Sequence, residues 1–281
     1  MLRHTLCHIP GIGAKTERNL WHRGIESWDD ILKGADIKSR RVSVEFARRK
    51  IEESIQHLES HHPLYFHKAL PPSERWRIFA DFRDSVAYLD IETNGLGGPM
   101  CHITTIALFD GKDVYHYVYR ENLEDFKEDV ARFQVIVTYN GKCFDVPVLE
   151  QYFGIRMPQA HIDLRFLLRS LGYKGGLKGC EKMLGLDRQE LDGMDGYFAV
   201  LLWNDYLERG DRRALDTLLA YNVLDAVNLE KLMVIAYNLK VKDTPFYLSE
   251  HLSLPPEVEN PFKPHMGTVK RIMDEVHWYR S

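Results

Sequence analysis

The stretch Val86-Ala87-Tyr88-Leu89-Asp90-Ile91-Glu92-Thr93 reads as a strand that ends in two carboxylates. Side chains alternate across a strand, so Asp90 and Glu92 share one face while Leu89 and Ile91 point the other way. Two like charges on one edge repel each other, and a cation between them makes the arrangement favourable. A solvent-exposed acidic edge produces the same text, so the pair gains meaning only from its surroundings.

Those surroundings alternate strands with helices. Strands are expected at 85–91, 102–109 and 114–119, the last two joined by the turn signal Asp110-Gly111, which suggests an antiparallel start. A helix at 123–132, a strand at 135–139, a helix at 146–153, a strand near 161–164, and helices at 198–208 and 212–239 follow. The N-terminal part has a different texture. Ile9-Pro10-Gly11-Ile12-Gly13 leads into a helix over 14–22, a second helix starts after Gly24, and Val44, Ala47, Ile51, Ile55 and Leu58 mark one face of a third over 42–58. Arg48, Arg49 and Lys50 on its other face suit a solvated surface or phosphate contacts. The expected organisation is a small helical module over 1–60, a linker over 61–80, an α/β domain over 81–240 and a proline-rich, irregular extension over 241–281.

With 281 residues, 44% hydrophobic and 28% charged, the composition is that of an ordinary folded chain with a sizeable core. No apolar run approaches the ~20 residues of a membrane span, which predicts a cytoplasmic protein without membrane contact. Cys7, Cys101, Cys143 and Cys180 form no C-x-x-C pair, and the thirteen histidines show no matched ligand spacing, so reduced thiols are expected and zinc is not. Residues 1–66 hold 11 Lys and Arg against 9 Asp and Glu, the remainder 26 against 32. The acidic excess thus belongs to the α/β part, where a site built for divalent cations must itself be acidic. Trp76, Trp203 and Trp278 are expected to bury apolar area, with base stacking as the alternative.

Two further patterns join the first. Asn140-Gly141-Lys142-Cys143-Phe144-Asp145 follows a strand and opens a helix; Gly141 permits an unusual turn, and Asp145 alone reads as a helix cap. Tyr221 and Asp225 lie four apart on a helix and share a face, though Tyr221 alone reads as a core tyrosine.

Together the three resemble the ribonuclease-H-like 3′-5′ exonuclease superfamily, in the form whose site is four acids plus one tyrosine, and within it the YprB-like branch. His161-Ile162-Asp163-Leu164, Gly176-Leu177-Lys178 and Leu184-Gly185-Leu186 add to the likeness, and Ala220 stands where a sister group has histidine. The resemblance implies an α/β fold, a mixed sheet flanked by helices, and a two-metal nuclease. Asp90 would bridge two Mg²⁺ or Mn²⁺ ions, Glu92 and Asp225 would complete one, Asp145 would hold the other partly through water, and Tyr221 would orient the attacking water. Thr93, Asn94, Leu96 and Asn140 resemble positions near the terminal nucleotide; Asn140 equally suits a turn residue bonding backbone. The segment around Gly11, Ile12 and Gly13 resembles a helix-hairpin-helix element, whose backbone N–H groups would hold a nucleic-acid phosphate with Lys15 and Arg18 nearby, or else is a structural αα-hairpin.

The resulting expectation is a metal-dependent 3′-5′ exonuclease on single-stranded or frayed nucleic acid, DNA slightly before RNA. A catalytically silent binding module and a structure-specific endonuclease are the alternatives.

Overall fold

Five strands form one mixed sheet in the order β3-β2-β1-β4-β5. They are β1 Val86–Thr93, β2 Ile103–Phe109, β3 Val114–Val118, β4 Val135–Thr138 and β5 Ala160–Asp163. The first three pair antiparallel as the short turns demand, and β4 and β5 join parallel through helical crossovers. This is a computed structural model that describes residues 1–39, 41–96 and 98–280.

Ahead of the sheet come α1 Ala14–Trp21, α2 Trp28–Leu32, α3 Val44–Glu59, α4 Pro63–Ala69 and α5 Ile78–Asp81. Ser27 and Asp30 form a capping box on α2, and Ser43 caps α3 through the Phe46 N–H, so serine sets both helix starts. Within and after the sheet lie α6 Phe126–Val130, α7 Asp145–Phe153, α8 Leu164–Ser170, α9 Gly176–Met183, α10 Gly196–Arg209, α11 Arg212–Val241, α12 Tyr247–Glu250 and α13 Met266–Arg280.

Alternation along β1 divides the core in two. Ala87, Leu89 and Ile91 pack with Phe126 of α6 and Leu149 of α7 on one side. Tyr88 faces the other side with Val223, Ala226 and Val227 of α11. Asp90 and Glu92 therefore point toward α11, whose 30 residues run ~45 Å beside the sheet.

Three expectations need correction. The stretch 61–80, expected as a linker, is folded: α4, a 3-10 turn over Pro72–Arg77 and α5 bury Phe66, Trp76, Ile78 and Phe79. Pro63 and Pro72 begin helical turns, where a missing N–H costs nothing, so these prolines start structure. The extension 241–281, expected to be irregular, holds the short α12 and turns helical again at Met266 once its last proline, Pro264, has passed. What precedes the Ile9–Gly13 hairpin is a 3-10 turn over Leu2–His4, where a helix-hairpin-helix would have an α-helix. Trp76 and Trp203 are buried, and the Trp278 side chain lies outside the described residues. No helix among the described residues is long and apolar enough to cross a membrane.

Candidate active site

α11 packs across β1 and sets Asp225 opposite Asp90 and Glu92. One carboxylate oxygen from each of the three lies within 4.8 Å of the others, and among the described residues this is the group of side chains able to hold a metal ion. Asp145 stands beside this trio, outside its tight radius. It is the first residue of α7, with Phe144 at the cap position, so it does not serve as the helix cap. Its carboxylate meets the backbone N–H groups of Asp145 and Ile91, which brings it against β1.

The electrostatics are those of crowded anions. Burial, then the neighbouring charge of Asp225, holds Asp90 and Glu92 well above the usual carboxylate range. Burial pushes Asp145 up to about 7 despite its two N–H donors. Such a cluster favours either protons or a bound cation.

The side chains around the trio fix its orientation. Asn222 donates its amide to Asp90 Oδ2 at 2.7 Å and accepts from the Thr105 hydroxyl of β2 at 2.9 Å, which fixes the orientation of Asp90. Arg188 is buried; it donates to Asp225 Oδ1 at 2.5 Å and to Glu181 Oε2 at 2.7 Å, and Asn228 secures the second oxygen of Glu181 at 2.8 Å. Tyr221 is buried, with Lys178 Nζ 4.5 Å and the Arg188 guanidinium 5.3 Å from its ring centre. Burial and the surrounding carboxylates raise its pKa far above the phenol range, which keeps the hydroxyl protonated.

Asn222, Lys178 and Arg188 were absent from the residues expected at the site. The first two sit inside quoted motifs and were legible as polar residues there. Arg188 lies 37 residues from Asp225 in no recognisable spacing, and only the packing of α9 and the following loop on α11 brings it in.

Of the positions expected near a terminal nucleotide, Thr93 and Asn94 make local contacts in their own loop. The Thr93 hydroxyl accepts from Gly95 N–H at 3.4 Å. Asn94 donates to Met100 O at 2.9 Å and accepts from His102 N–H at 3.1 Å, which staples its loop. Leu96 is an exposed apolar side chain. Asn140 has φ +69°, and its amide oxygen accepts from Arg165. The unusual turn expected of Gly141 is thus made by Asn140. Gly141 is needed for space, since a Cβ there would stand 2.3 Å from Thr138 Oγ1.

In the N-terminal hairpin Gly11 has φ +95°, Gly13 caps α1, and Ile12 is buried, leaving its backbone as the usable part. A cavity of about 530 Å³ there is lined by Gly11, Gly13, Arg41, Lys50 and Lys68; Lys15, exposed, lies outside its wall.

The RNase_H superfamily model, RNase_H_2, matches residues 87–237, more than half of the chain. Among solved structures, the family B DNA polymerase from the hyperthermophilic archaeon Pyrobaculum calidifontis is similar at 18% identity and a TM-score of 0.37, over 64% of this chain and 31% of the polymerase. The chain thus spans about a third of that polymerase's length. No curated protein matches the chain. With the match covering β1 through α11, and with it every acidic residue of the site, the chain belongs to the RNase_H superfamily.

Proposed function

We propose that this chain is a metal-dependent 3′-5′ exonuclease that hydrolyses phosphodiester bonds of single-stranded or frayed nucleic acid, with DNA favoured over RNA. The observation that carries the reading is the convergence of Asp90, Glu92 and Asp225 within 4.8 Å, with Asp145 beside them. Polarity and strand preference rest on the resemblance of the three motifs.

The donor set suits hard divalent cations such as Mg²⁺ or Mn²⁺: all oxygen and all carboxylate. Asp90, Glu92 and Asp225 would hold one such ion, and Asp90 and Asp145 a second. Bound there, the ions would neutralise the phosphate and lower the pKa of water. The chain's own residues supply the rest. Asn222 holds Asp90 in place through Thr105, Arg188 holds Asp225, and the protonated Tyr221 donates a hydrogen bond that orients the attacking water. The N-terminal hairpin, with Arg41, Lys50 and Lys68 around it, would grip a phosphate of the strand.

DNA and RNA strands labelled at either end, incubated with Mg²⁺ or Mn²⁺, test the reading. Ladders that shorten from the 3′ end, lost in Asp90→Ala, support it; full activity in Asp90→Ala would contradict the site. Circular strands cut as fast as linear ones would instead indicate an endonuclease. One observation favours the silent binding module: Arg188 already neutralises one oxygen of Asp225. That alternative predicts a strand held intact in Mn²⁺ by wild-type protein.

A further inference from the structure

A second cavity, of about 430 Å³, borders the same Asn140–Asp145 loop; Arg75, Lys142, Asp163 and Phe166 are in its wall. The chain that builds it continues from the hairpin cavity, since Lys68 lines the first and Arg75 the second. Among the described residues no carboxylate forms an ion pair with Arg75 or Lys142, and the buried Arg75 Nε bonds nothing. Asp163, the carboxylate in the wall, is occupied by the N–H groups of Asn140, Lys142 and Arg165 at 2.8, 3.1 and 3.0 Å.

Burial and the nearby Arg75 press Lys142 below the usual lysine range, and burial together with Arg75 and Lys142 lowers His67 to about 4. Asp163 offsets part of this repulsion but its oxygens are taken up by backbone N–H groups, so the two cations keep donors that favour a phosphate between them. Phe166, 50% exposed, adds a flat apolar face to the same wall. A cation pair beside an exposed aromatic ring matches a nucleotide unit, phosphate and base together, better than a free inorganic anion.

We propose that this cavity is a subsite for the substrate strand, in which Arg75 and Lys142 take one backbone phosphate and Phe166 stacks on an adjacent base. The proposal rests on the reading that nucleic acid is the substrate, though not on catalysis.

Fluorescence anisotropy of a labelled single-stranded oligonucleotide, titrated in EDTA at several salt concentrations, tests it without hydrolysis. Arg75→Gln and Lys142→Gln each weaken binding several-fold and lower the slope of log K against log salt by about 0.7, the value for one phosphate contact on a single strand. Arg75→Lys keeps the slope, which separates charge from folding, and Phe166→Ala weakens binding roughly tenfold without changing it. Wild-type affinity and slope in both glutamine variants overturn the proposal. So does calorimetric binding of inorganic phosphate that Arg75→Gln abolishes while strand binding stays intact, since the cavity then serves a free anion. If the variants lose strand binding but the wild type hydrolyses nothing, the exonuclease reading fails and the subsite stands. If the wild type hydrolyses and the variants bind normally, the subsite alone fails.

Discussion

Arg77 and Arg188 are both buried arginines between two carboxylates, yet their surroundings differ in charge balance. Arg77 meets Glu17 at 2.9 Å and Glu74 at 2.7 Å, beside the rings of Trp21 and Trp76. Glu17 Oε1 also accepts the Leu6 and Cys7 N–H groups at 2.6 and 2.9 Å, which ties the N-terminal hairpin to the 72–77 turn. Arg188 meets Glu181 and Asp225, but Asp90, Glu92 and Asp145 stand beyond it, and Lys178 is the other cation at hand. The first network sets two carboxylates against one cation, whereas the second sets five against two, a larger surplus of negative charge. That surplus is what sets the proposed site apart from a structural clamp.

The sharpest way to break this contrast is to remove each arginine. Arg77→Met and Arg188→Met should each lose about 3–5 kcal/mol in EDTA, the cost of leaving a buried carboxylate unpaired, measured by urea unfolding. Mn²⁺ should then stabilise wild type and Arg77→Met equally and Arg188→Met more, because the added ion replaces the missing positive charge only there. Equal gains in all three would mean that Arg188 is as structural as Arg77.

Next in size is Asp90→Ala. Hydrolysis should fall by about 10²–10³ or more, the scale of losing a preorganised charged group, with an unfolding midpoint in EDTA no lower than wild type because one of several repelling anions is gone. Asn222→Ala should cost less, about 10- to 100-fold in metal affinity, as expected for a residue that orients a ligand, with an intact fold by circular dichroism.

The smallest effect is a pH dependence. Asp145 ordinarily titrates near 3.8 and is raised to about 7 in the fold. The folded chain therefore binds this proton more tightly, and the stability it contributes is full below pH 3.8 and lost as pH climbs to 7. Without metal, Asp145→Asn should gain stability over wild type above pH 7 and nothing below pH 4, in thermal melts across that range. A constant difference at all pH values would place the cost elsewhere.

Much of this contrast could be anticipated along the chain and some could not. The strands were legible because β-branched and aromatic runs alternate with turn residues; 85–91 became β1, two residues longer at its acidic end. The carboxylates were legible because each sits at the end of a strand or on a helix face. Prolines misled twice, at 61–80 and after 241, because proline in the first helical turn and proline in a loop give the same local text. Arg188, Glu181 and Arg75 were invisible for a different reason. Their roles depend on which charges lie within a few ångströms after folding, and nothing in the spacing from 75 to 142 or from 188 to 225 encodes that.

The want of room at Gly141 has one more implication. The residue lies between Asn140, whose N–H is fastened to Asp163, and Lys142, likewise fastened, four positions before Asp145. A single methyl group there would collide with Thr138 and shift the whole segment as a wedge would. Phosphate grip on one flank and ion grip on the other would be spoiled together, by a substitution that alters neither charge nor polarity.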